Sequence, residues 1–121
     1  MCVSRILVVD DEPDLRFILR RIFEKAGHEV IEAGHGALAL ECVRRPLPEL
    51  VVTDMMMPVM NGRELIRRLR ADPATAQIPI LAVTGNIELA DSADALLAKT
   101  YLPGQILAAA EALLASQGDG T

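Results

Sequence analysis

The chain has 121 residues, 51% hydrophobic and 24% charged, with a formal net charge of −5 and a pI of about 4.9. That length and apolar content suit a single domain around one core, expected to span residues 1–121 with a body over about 5–116. The acidic balance speaks against nucleic acid as a partner, and there is no basic-then-apolar leader and no apolar run of about 18 residues, so no membrane contact and a cytoplasmic location are expected.

The first apolar run, Arg5–Asp10, leads into three consecutive acids, Asp10, Asp11 and Glu12, in the stretch "ILVVDDEPD". Ionised carboxylates repel one another and are costly beside an apolar interior, so this strand end asks for a cation. From Pro13 onward, Leu15, Ile18, Leu19, Ile22 and Ala26 recur with helical spacing, predicting a helix with one face on a sheet and a stop at Gly27. A strand over His28–Ala33 and a helix over Gly36–Arg45 follow, the helix ended by Pro46 and Pro48. The two histidines are His28, at a strand start, and His35, in a loop. Cys2 and Cys42 are too far apart in sequence to announce a disulfide or zinc framework and read as reduced thiols.

The next strand, Leu50–Thr53, delivers Asp54. Met55, Met56, Met57 and Met60 behind it read as packing residues, and Asn61-Gly62 as the turn into a helix over Gly62–Ala71 that Pro73 ends. A strand over Pro79–Val83 delivers Thr84, and one over Ala95–Ala98 delivers Lys99. The crossover left between them, Gly85–Asp94, is at the lower end of the usual span of about 10–12 residues and has room for at most one turn of helix. A last helix covers Pro103–Ser116, and "SQGDGT" reads as a tail over 117–121.

Strands alternating with helices predict an α/β fold: a five-stranded parallel sheet, doubly wound, with a reduced fourth helix. In such a sheet the carboxyl ends of the strands share one edge, and ligands bind outside it. Asp10, Asp11, Asp54, Thr84 and Lys99 therefore meet at one place. Three carboxylates there suit a hard divalent ion, Mg²⁺ above all, which keeps waters and shares itself with a phosphate.

This set, in this order, resembles the receiver domain of bacterial response regulators over about Arg5–Ser116: the acid pair after the first strand, "TDMMMPVMNG" around Asp54, "VTG" at Thr84, and the Lys after the fifth strand. The resemblance implies a flavodoxin-like fold and a phosphoprotein of two-component signalling that accepts a phosphoryl group on Asp54 from a histidine kinase or histidine phosphotransfer protein. It implies Mg²⁺ held by Asp10, Asp11, Asp54 and the backbone carbonyl of Met56, with Asp10 acting mainly through water, and Thr84 and Lys99 engaging the new charge. The metal would offset repulsion between a carboxylate nucleophile and an incoming phosphoryl anion. The expected protein is a stand-alone regulator that phosphorylates and dephosphorylates itself without being a turnover enzyme. It would act through a downstream partner protein or as a phosphate sink.

Two other classes compete. An aspartyl phosphatase would place a second Asp two residues after the nucleophile, where this chain has Met56. A phosphorylation-independent interaction module would not need the complete set of five residues. The chain also departs from the family's signalling face: the interval from Thr84 to Lys99 is short, Leu96 stands where a switch aromatic is usual, Tyr101 lies two residues beyond Lys99, and Thr100 replaces the common proline.

Met56 offers no polar group to orient an attacking water, so an acyl phosphate on Asp54 should outlast that of a Met56→Asn variant. Decay followed by phosphoryl release checks this; equal or faster decay in the parent would remove Met56 from control of water access.

Overall fold

The computed structural model describes residues 4–43, 47–55, 60–85, 93–99 and 101–119. Five strands, β1 (Arg5–Val9), β2 (Glu29–Ala33), β3 (Leu50–Asp54), β4 (Ile80–Thr84) and β5 (Ala95–Ala98), form one sheet in the order β2-β1-β3-β4-β5 with every pair parallel. Four helices are described: α1 (Pro13–Lys25), α2 (Gly36–Cys42), α3 (Gly62–Ala71) and α4 (Pro103–Asp119). The expected doubly wound, five-stranded α/β sheet is therefore the observed one. Between β4 and β5, residues 86–92 lie outside the described set, so the expectation of at most one turn of helix there falls on residues that are not described.

Strand period divides the core in two. Leu7, Val9, Val51, Ile80 and Ala82 face α2 and α3, packing with Ala39, Leu65, Ile66 and Leu69. Their strand neighbours Ile6, Val8, Val52, Leu81 and Val83 face the other way, onto Leu19 and Phe23 of α1 and Ile106 and Ala110 of α4. The central strands β3 and β4 are buried at every residue, as strands covered on both faces must be, whereas the edge strand β5 is largely half-buried.

Helix ends follow local chemistry. Pro13 opens α1, where the missing N–H costs nothing, and Gly27 closes it at φ 95°, a left-handed turn that favours glycine. The buried stripe of α1 is Leu19 and Phe23, with Ile22 partly covered; Ile18 is 46% exposed and thus lies at the margin of the face the periodicity predicts. Helix α2 ends at Cys42, with Val43 as its cap, before the expected Arg45, which lies outside the described residues. At the other end of the chain, α4 runs to Asp119 rather than Ser116. Propagation adds one hydrogen bond per residue once a helix is nucleated, so the Ala- and Leu-rich helix carries on into the expected tail.

Arg70 of α3 clasps the entry to β5. Its guanidinium donates to the carbonyls of Ala76 and Ile78 at 2.9 and 3.0 Å and to Asp94 Oδ2 at 2.6 Å, and the same Asp94 oxygen accepts from the Ile80 N–H at 2.7 Å. The Asp94 N–H donates to the Ile80 carbonyl at 2.9 Å. Asp94 is thus a staple between β4 and β5.

Gly62 fixes the approach of α3 to β3. A Cβ there would stand 2.5 Å from the Asp54 carbonyl oxygen and 2.8 Å from Met55 Cα, both backbone atoms that cannot step aside. A Gly62→Ala variant should lose about 1–3 kcal/mol in denaturant unfolding, as overpacking does. Gly104→Ala, where nothing lies within 4 Å of the added carbon, serves as the control and should be neutral or stabilising.

Candidate functional site

Asp10, Asp54, Thr84 and Lys99 arrive at the same edge because β1, β3, β4 and β5 run parallel and end there. Register makes this concrete: Val9 pairs with Thr53, Asp54 with Val83 and Thr84 with Ala98. Asp54 is 2% exposed, Asp10 3% and Thr84 0%, so the site is cut into the end of the core rather than laid upon it. The Lys99 N–H donates to the Thr84 carbonyl at 3.1 Å, which holds the turn after β5 against the end of β4.

The central contact is Lys99 Nζ donating to Asp54 Oδ2 at 3.0 Å. Burial alone would pull the Lys99 ammonium down, but the hydrogen bond and charge of Asp54, helped by Asp10 and Glu12, more than offset it and raise its pKa. Asp54's backbone is set from both sides: its carbonyl accepts from the Thr53 hydroxyl at 2.8 Å, and the Gly62 N–H donates to the next carbonyl, that of Met55, at 3.1 Å.

The acid turn after β1 is built by α1. Arg16 donates to the Asp10 carbonyl at 2.7 Å and pairs with Glu32 at 3.2 Å, tying the strand end to β2. Asp10 Oδ1 accepts from the Glu12 N–H at 2.9 Å, a short local bond that closes the turn. Asp10, Asp11 and Glu12 each bring a carboxylate oxygen within 4.8 Å of the others. Burial, with the neighbouring charges of Asp54 and Asp11, pushes the Asp10 carboxyl up to about 6 despite the lowering effect of that backbone bond. A divalent cation is what such a crowd of like charges would best accommodate.

Of the metal ligands expected from sequence, Asp10 and Asp11 stand together in this cluster. Asp54 enters the site from the other side, held by Lys99, and the Met56 carbonyl lies outside the described residues, as do Met57 and Thr100. Glu12 has a 58% exposed side chain whose Oε1 lies 3.8 Å from Lys99 Nζ. Met55 and Met60 pack in the core as expected. Asn61 caps α3, accepting from the Glu64 N–H at 2.9 Å, which accords with a turn role.

Three contributors were not legible in sequence. Arg16 gave no cue beyond its place one turn after Glu12. The signal for Glu12 was its adjacency to the acid pair. His35 caps α2, its Nδ1 accepting from the Leu38 N–H at 3.3 Å, a task that Ser, Thr, Asp or Asn usually performs.

Because the folded chain holds the Asp10 proton up to about pH 6 while the unfolded chain releases it near 3.8, stability should fall as pH rises through that window. The penalty is full above the window and absent below it. An Asp10→Asn variant should therefore be more stable than the parent at pH 7, by about 3 kcal/mol at most, with the difference vanishing near pH 4. Paired thermal unfolding curves check this. The comparison with the variant isolates Asp10, since Glu32 and Glu64, held below their usual range by arginine hydrogen bonds, slope the other way.

Comparison with known proteins agrees with this arrangement. A family model described as "Response regulator receiver domain" matches residues 6–107. The chain is 41% identical over 92 residues to a protein-glutamate methylesterase/protein-glutamine glutaminase of Hahella chejuensis, covering 75% of this chain but only 26% of that protein. It is 31% identical to sporulation initiation phosphotransferase F of Bacillus subtilis, covering 84% of this chain and 82% of the relative. Among solved structures, the response regulator TrrA from Thermotoga maritima, in complex with Mg(2+)-BeF, superposes with a TM-score of 0.84 at 27% identity over 92% of this chain and 99% of that one. A parallel sheet in this strand order, a buried Asp at the end of β3 clasped by a Lys after β5, and a family match across most of the length have one reading: the chain belongs to the response regulator receiver domain family.

Proposed function

We propose that this chain is a phosphoacceptor of two-component signalling that takes a phosphoryl group onto Asp54 from a phosphohistidine of a kinase or phosphotransfer protein. The observation that carries this reading is the buried Asp54 carboxylate, 2% exposed and held by Lys99 at 3.0 Å, beside the three-acid turn after β1. In the transfer, a carboxylate oxygen of Asp54 bonds to phosphorus as the phosphorus–nitrogen bond to the donor imidazole breaks, and the imidazole keeps the electron pair. The product is an acyl phosphate.

The chain's own residues prepare this step by placement. Lys99 orients Asp54 and supplies a positive charge where the phosphoryl oxygens gather. The register of β4 against β5 puts Thr84 at the same edge. Asp10 and Asp11 are the residues that would hold Mg²⁺, with Asp54 and the Met56 carbonyl completing the set by family resemblance; Thermotoga TrrA, whose complex contains Mg(2+)-BeF, is the relative that supports this. Bound there, Mg²⁺ would offset the charge that builds up as phosphoryl oxygens approach the acids. The transfer, followed by hydrolysis of the acyl phosphate, makes the chain a self-limiting signal carrier rather than a turnover enzyme, acting through a partner protein or as a sink for phosphoryl groups. No helix among the described residues is long and apolar enough to cross a membrane, which is compatible with a cytoplasmic role.

Incubation with Mg²⁺ and a small acyl-phosphate donor should add one phosphoryl mass to the parent chain and none to an Asp54→Asn variant. Mass spectrometry reads this directly. Equal labelling of the variant would overturn the assignment, and no labelling of the parent by small donor or phosphohistidine would favour a phosphorylation-independent interaction module.

A further inference from the structure

At the end of the sheet opposite the acid site, a pocket of about 710 Å³ opens between the start of β2, the entries to β3 and β4, and the second half of α4. His28 and Glu111 line it, with Glu49, and Ile78, Pro79 and Leu114 make its apolar wall. The His28 side chain is 8% exposed, and neither ring nitrogen has a hydrogen-bond partner among the described residues. Unpaired buried polar atoms are costly, at about 1–3 kcal/mol each, so something at this pocket should meet the ring.

We propose that His28 and Glu111 hold a borderline divalent ion of the Zn²⁺ class at the mouth of this pocket. His28 Nε2 and Glu111 Oε2 are 3.5 Å apart. That is too long for a good hydrogen bond, but it is the edge of a tetrahedron around an ion bound at about 2.0–2.2 Å to nitrogen and oxygen. An imidazole beside a single carboxylate favours Zn²⁺ over Mg²⁺, which prefers oxygen alone. Glu111 is half exposed, which leaves the ion a route from solvent. Two protein ligands leave the remaining positions to water or to a group occupying the pocket, so the site is weak and exchangeable. It would tie the start of β2 to α4 across the edge farthest from Asp54, and it is independent of the phosphoacceptor reading.

The test is a Zn²⁺ titration of the full chain in excess Mg²⁺, which keeps the acid site occupied, read by calorimetry and by the imidazole NMR signals. The chain has only two histidines, so the assignment is direct. The His28 ring signals should shift and saturate, while Glu111→Gln, a change at an exposed carboxylate that leaves the core intact, should weaken binding by about tenfold or more. His28→Gln should abolish the response. Unshifted His28 signals, or a Glu111→Gln variant that binds like the parent, would overturn the proposal. So would a ring that pairs with Glu111 only on protonation and ignores the ion.

Discussion

A carboxylate with 2% of its surface in water needs a positive partner, and in this fold the partner for Asp54 comes from 45 residues further along the chain. The Lys99–Asp54 contact can form only if β3, β4 and β5 are parallel, adjacent and in register, so the site tests the correctness of the sheet. In turn the sheet depends on its two-sided core: the residues alternating along each strand commit one face to α2 and α3 and the other to α1 and α4. Removing Lys99 alone would take from the buried Asp54 carboxylate the ammonium that donates to it at 3.0 Å, and breaking a buried pair costs far more than a surface pair gains.

Around that contact, close packing works together with local hydrogen bonds. Gly62 lets α3 start against the Asp54 carbonyl, and Asn61 caps the same helix. Arg16 performs the matching task at β1, bonding to the Asp10 carbonyl while anchored on Glu32. Thus each acidic strand end is gripped by the helix that follows it, and the carboxylates are kept close to one another against their repulsion. The Asp10 carboxyl is raised first by burial and then by the neighbouring charges of Asp54 and Asp11.

Most of the fold could be read from the sequence because strand and helix periods do not overlap. The runs ending at Asp10, Asp54 and Thr84 are short and rich in β-branched residues, the run before Lys99 is a short apolar Ala-Leu stretch, and each forms a strand that ends at or just before the named residue. The misreadings have physical causes. Ile18 matches the helical period, yet a helix seated on Leu19 and Phe23 turns it to the margin. The tail was assigned from Gly and Asp residues, which are poor helix formers, Gly costing about 1 kcal/mol against Ala, yet α4 runs on to Asp119. Arg16, His35 and Asp94 were missed as contributors because their partners are set by tertiary placement or by an atypical cap, and a single sequence carries no pattern for either; Glu12 was legible in the acid run, but its approach to Lys99 was not.

The Arg70 clasp has a mechanical meaning. One guanidinium spans the exit of α3 and the entry of β5, and Asp94 passes that tension on to the first peptide of β4. The rear of these strands is therefore pinned, while their front ends carry Thr84 and Lys99. A rigid rod pinned at its base can answer a pull at its tip only by pivoting, so a displacement of Lys99 would travel as a tilt of β5 about Asp94 rather than as a slide along β4. Any surface that reads the state of Asp54 through β5 would then sense an angle.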